Sequence, residues 1–245
     1  MLSKGTKLNE KKRIASLPEL ERPINVRFKF RKVGSLQYIS HLDLQRTFMR
    51  VIIRACIPAW YTKGFNPHAK LVFSTPLGVG TESECEFLDL RIDRDMPIEE
   101  IMARLNGELT DELRILEAYI PTSDFNEIAW CDYEIKIHDE SVTDEIIEKI
   151  NSMVGSDPLM LEKKTKSGIK EIDIIPMIRS VEATRDGEDI FIKTTLKANV
   201  GEFLNPELLI KGIKQRYEIL NDDHVDKWYS IMRVATRKAD LSLFR

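Results

Sequence analysis

The chain has 245 residues, 42% of them apolar, and its 37 basic and 40 acidic side chains leave a formal net charge of −3. That length supports one large core or two small ones, and no apolar run reaches the ~18 residues a membrane-spanning helix needs. Cys56, Cys85 and Cys131 are odd in number and far apart, which supports neither a disulfide framework nor a compact zinc or iron–sulfur motif.

The first segment, residues 1–22, carries six basic and three acidic side chains. It reads as a flexible basic tail, and it lacks the apolar stretch of a signal peptide, so a cytoplasmic location without membrane attachment is expected. Residues 23–81 hold nine basic side chains against one acid, Asp43, whereas residues 82–245 hold 22 against 36. Segment charges of +3, +8 and −14 hidden beneath a small net charge suggest a partner rich in phosphate or carboxylate.

Residues 24–33 alternate strictly, with Val26, Phe28 and Phe30 on one side and Arg27, Lys29 and Arg31 on the other, the pattern of a strand with a basic face. Ser40 is placed to cap a helix in which Asp43 occupies the third position, where its carboxylate can reach back to the cap amide. Along that helix Leu44, Phe48, Val51, Ile52 and Ala55 form the apolar stripe, while Arg46, Arg50 and Arg54 recur as a basic ridge. Pro58 ends it. A Gly64-Phe65-Asn66-Pro67-His68 loop, strands over 70–75 and 84–93, a helix from Pro97 to about residue 105 and a strand over 113–120 complete a first β-α-β-β-α-β series.

After Pro121 the order restarts. A strand over 130–137, a capped helix beginning near Ser141 and Thr143, hairpins turning at Lys166-Ser167-Gly168 and at Asp186-Gly187, a helix opened by Asn205-Pro206 and a strand over 228–236 repeat the series with one extra hairpin. The expected fold class is α+β, two tandem ferredoxin-like (β-α-β-β-α-β) sandwiches: a tail over 1–22, a basic domain over 23–121 and an acidic one over 122–245.

The motifs Ser40-His41-Leu42-Asp43 with Arg46, Gly64-Phe65-Asn66-Pro67-His68-Ala69-Lys70, Pro76-Leu77-Gly78-Val79-Gly80 and residues 84–89 together resemble the bacterial radical-SAM-associated family of unknown function. That family's domain occurs alone or behind a radical S-adenosylmethionine domain, so the resemblance implies a working relationship with such an enzyme. A radical S-adenosylmethionine cluster needs closely spaced cysteines. Here the cysteines are 29 and 46 residues apart, which assigns any such chemistry to a partner chain and leaves this chain without a cofactor of its own.

The expectation that follows is an RNA-binding accessory protein. Arg27, Lys29, Arg31, Arg46, Arg50, Arg54, Lys63 and Lys70 would contact phosphates, Phe65 or Tyr61 would stack on an unpaired base, and His41 and His68 would share the anion site. A metal-independent endoribonuclease using His41 and His68, and a protein-interaction module that binds no nucleic acid, are the alternatives. Ser40 and Asp43 are accounted for by capping, and no metal site is expected because His41, His68 and Asp43 lack further ligands at a defined spacing.

Overall fold

In the computed structural model, which describes residues 4–165, 168–220 and 226–245, the stretch expected as a tail carries a helix, α1 (Lys4–Ala15). It lacks an apolar stripe, which is why periodicity did not reveal it; over residues 8–15 its buried side chain is Ile14. Strand β1 (Glu19–Lys32) is longer than expected, and Val26, Phe28 and Phe30 are fully buried along it. There follow α2 (His41–Arg54), β2 (Leu71–Phe73), β3 (Thr81–Arg94), α3 (Ile98–Asn106) and β4 (Leu113–Tyr119). These elements form a compact unit, Met1–Asp124 with Arg245.

Within this unit β1 pairs with β3 and β4, and β2 pairs with β3, all antiparallel, so the strand order is β2-β3-β1-β4. Leu88, Leu90 and Ile92 of β3 and Ile115 of β4 join the apolar side of β1, which packs against Leu44, Phe48, Val51 and Ile52 of α2 and Ile101 and Leu105 of α3. Phe30, Phe48 and Phe73 meet edge to face, with centroids 5.0 to 6.3 Å apart. α1 is fastened to α3 chiefly by charge: Arg104 pairs with Glu10 at 2.5 Å and with Glu100 at 2.7 Å, and Arg13 bridges Glu10 and Glu100.

The second unit, Phe125–Phe244, contains β5 (Ile128–His138), α4 (Asp144–Asn151), β6 (Met160–Thr165), β7 (Gly168–Asp173), β8 (Ile178–Asp186), β9 (Asp189–Asn199), β10 (Glu202–Phe203), α5 (Pro206–Tyr217) and β11 (Trp228–Lys238). Antiparallel pairing gives the order β8-β9-β5-β11, with β10 turned back onto the end of β9 and β6–β7 a separate hairpin. Lys166 and Ser167 of the expected first turn lie outside the described residues. The other hairpin closes between Asp186 and Asp189, with Gly187 at φ +60°, the backbone that a two-residue loop asks of its first position. Thr143 and Asn205 cap α4 and α5. Gly212 of α5 faces the hairpin so closely that a Cβ there would lie 2.8 Å from the side chain of Leu159.

The fold class is therefore α+β, as periodicity indicated. No helix among the described residues is long and apolar enough to cross a membrane.

Candidate anion and nucleic-acid interface

Helix α2 starts at His41 because Ser40 is extended and its Oγ accepts the Asp43 amide at 3.2 Å. The Asp43 carboxylate takes the Ser40 hydroxyl, at 2.6 Å, rather than the cap amide expected from the sequence. The Ser40 hydroxyl first, and the Arg46 guanidinium with it, hold that carboxyl below its ordinary value. Ser40→Ala is expected to lower stability by about 1 kcal/mol, read from urea unfolding; a variant as stable as the parent would remove the cap from this account.

The two histidines are held by different neighbours. His41 is exposed at the first turn of α2, its ring edge-on to Phe73 with centroids 5.0 Å apart, so it terminates the aromatic row of the core. His68 closes the loop after α2. Thr62 donates its amide to the His68 carbonyl at 3.0 Å, His68 donates its amide to Thr62 Oγ1 at 3.2 Å, and Tyr61 bridges to Ala69. The His68 Nδ1 lies 3.1 Å from the Asn66 carbonyl and 3.3 Å from Thr62 Oγ1. His68 therefore braces the loop. Among the described residues no hydrogen bond, ion pair or ring contact joins it to His41.

What the brace holds out is Phe65, whose side chain is fully exposed, with Lys63, Asn66 and Lys70 exposed beside it. Neither Lys63 nor Lys70 has an acidic partner among the described residues. A braced rim with an unburied ring and two cations is suited to stacking a planar group while contacting phosphate. At the base of the loop, Tyr61 borders a cleft of about 290 Å³ together with Lys11, Ile14, Ile53, Cys56 and Asp93. Burial pushes the Asp93 carboxyl up there.

The arginines divide sharply. Arg50 stands exposed on α2 without a partner among the described residues. Arg46 pairs with Asp43 at 3.3 Å, and Arg54 is held by the Glu108 carboxylate at 2.9 Å. The sheet face departs further from expectation. Arg27, expected to face solvent or ligand, is 1% exposed; its Nε and Nη2 meet the two Asp89 oxygens at 2.7 and 2.9 Å, and Nη1 donates to Ser123 at 2.9 Å. Lys29 reaches Glu117 at 3.2 Å, and Arg31 donates to the Asp111 carbonyl at 2.7 Å. The basic segment looked uncompensated because its acids lie later in the chain. Antiparallel pairing sets Arg27 opposite Asp89 and Lys29 opposite Glu117, acids that lie 62 and 88 residues further along the chain.

Cys85 and Cys131 are buried in different units and Cys56 is half-buried. Among the described residues no three His, Cys, Asp or Glu side chains gather as a metal-binding group.

Among solved structures, DyPB from Rhodococcus jostii RHA1 (crystal form 2) is 11% identical over 90% of this chain and 95% of that one, with a TM-score of 0.19; a likeness at that score carries no argument. No curated protein matches the chain. Residues 25–206, from within β1 to the first residue of α5, match the family described as "uncharacterized protein conserved in bacteria (DUF2344)", and the chain, matched over most of its length, belongs to that bacterial family.

Proposed function

We propose that this protein is a cytoplasmic RNA-binding accessory that presents or positions a substrate for a radical S-adenosylmethionine enzyme carried on another chain. The observation that carries the reading is the loop of residues 62–70: Phe65 is held fully in solvent by the His68 brace, between lysines that no acid among the described residues neutralises. An exposed ring beside unpaired cations is the arrangement by which single strands are bound with little regard to sequence. Arg50 extends the cationic surface along α2. The strand orders β2-β3-β1-β4 and β8-β9-β5-β11, each with two intervening helices, support two ferredoxin-like sandwiches, a scaffold whose sheets and loops recur in RNA recognition. The radical S-adenosylmethionine partnership rests on the motif resemblance alone. The engagement of the His68 Nδ1 in the loop favours a binding role over catalysis.

Titration of a short unstructured oligoadenylate, at several salt concentrations, tests the reading. The wild type should lose affinity steeply with salt. Phe65→Ala should weaken binding by about tenfold without changing the slope, since it removes a stacking surface and no charge. A wild type that binds no RNA at low salt, or a Phe65→Ala variant that binds as well as the parent, would overturn it.

A further inference from the structure

α1 is joined to the first unit differently from the two helices that pack on its sheet. α2 buries Leu44, Phe48, Val51 and Ile52, and α3 buries Ile101 and Leu105, whereas over residues 8–15 α1 buries Ile14 and leaves Leu8 57% exposed. Its other attachments are charges near the surface: Glu10 with Arg104, and Arg13 with Glu100. The four side chains keep between 18% and 43% of their surface in solvent. Ion pairs of that exposure stabilise weakly and are screened by salt, and a helix of 12 residues is marginal in water without tertiary support. Immediately after α1 the chain is fixed again. Arg94 donates to the Leu17 carbonyl at 2.9 Å, and the Asp95 amide donates to the Pro18 carbonyl at 3.0 Å, which places the pivot at Ser16.

α1 also walls two clefts. In the cleft of about 290 Å³ beside Tyr61, its Lys11, Ile14 and Ala15 join Ile52, Ile53 and Ile57 in the lining. In a second, of about 190 Å³, its Glu10 joins Arg54, Arg104 and Glu108. Cys56, half-buried just beyond the end of α2, lines both. We propose that α1 is an ionic strap that opens about Ser16 while the rest of the first unit stays folded, removing a wall from both clefts and uncovering the Cys56 thiol. Opening gives up the burial of Ile14 and the pairs made by Glu10 and Arg13, and it spares the apolar contacts of α2 and α3 with the sheet. A segment held this way opens at a free energy set by its own few contacts, below that of global unfolding. Screening weakens the ionic part of the attachment and not the apolar part, so closure depends on ionic strength. The strap therefore controls whether the cleft at the base of the 62–70 loop is intact, and it stands independently of the RNA-binding reading.

The test is the rate at which iodoacetamide, an uncharged reagent, alkylates Cys56 in the folded full chain, read peptide by peptide by mass spectrometry. Cys85 is buried in the same unit and reports its global unfolding. Between about 0.01 and 1 M sodium chloride the screening length falls from about 30 to about 3 Å, and the Cys56 rate should rise on the order of fivefold while Cys85 stays unreactive. Glu10→Gln, which removes the carboxylate shared by Arg13 and Arg104, should raise the low-salt rate by about tenfold and flatten its salt dependence. Ile14→Ala should also raise the rate but keep the salt dependence, since it removes no charge. A Cys56 rate that is the same at every salt concentration, or a Glu10→Gln variant alkylated no faster than the parent, would overturn the strap. Cys85 reacting in step with Cys56 would assign the exposure to unfolding of the whole unit and overturn it equally.

Discussion

Replacing Arg27 by Met is expected to destabilise the first unit by about 3–5 kcal/mol, because it leaves the Asp89 carboxylate buried without its counter-charge. Arg27 is 1% exposed and Asp89 9%, and the fork meets both carboxylate oxygens. Arg27→Lys should recover only part of the loss, since an ammonium cannot reproduce the paired donors. Arg27→Met with Asp89→Leu should be far closer to wild type than Arg27→Met alone, because no isolated charge remains. Urea unfolding followed by circular dichroism measures all three. A single Arg27→Met variant within about 0.5 kcal/mol of the parent, the range of an ordinary surface substitution, would show that the pair contributes nothing.

Reversing charge at Arg50, Lys63 and Lys70 together should reduce affinity for single-stranded RNA by about fiftyfold at ~0.15 M salt and flatten the salt dependence by about two units, if each cation holds one phosphate. All three are exposed and lack acidic partners among the described residues, so stability should stay within about 0.5 kcal/mol. Arg54→Glu is the informative contrast. Its guanidinium is committed to Glu108, so its reversal should disturb the local structure more and the salt slope less. A folded triple variant that keeps wild-type affinity and slope would remove α2 and the loop from the interface.

Local chemistry alone determined much of this protein. Alternation at Val26, Phe28 and Phe30 fixed which side of β1 meets the apolar core, a side-chain oxygen at Ser40 fixed where α2 begins, and Asn205-Pro206 did the same for α5, since period, cap and fixed φ are properties of a few consecutive residues. α1 escaped because its attachment is ionic and its partners, Glu100 and Arg104, lie on another helix. The division of the basic residues into buried, paired and free was equally illegible. Arg27 and Arg50 look alike in sequence, and strand pairing across 62 residues brings Asp89 to one while no acid among the described residues pairs with the other. Neighbouring residues set what each segment becomes; which charges remain available to a ligand is decided only when sheet register brings distant side chains within hydrogen-bonding distance.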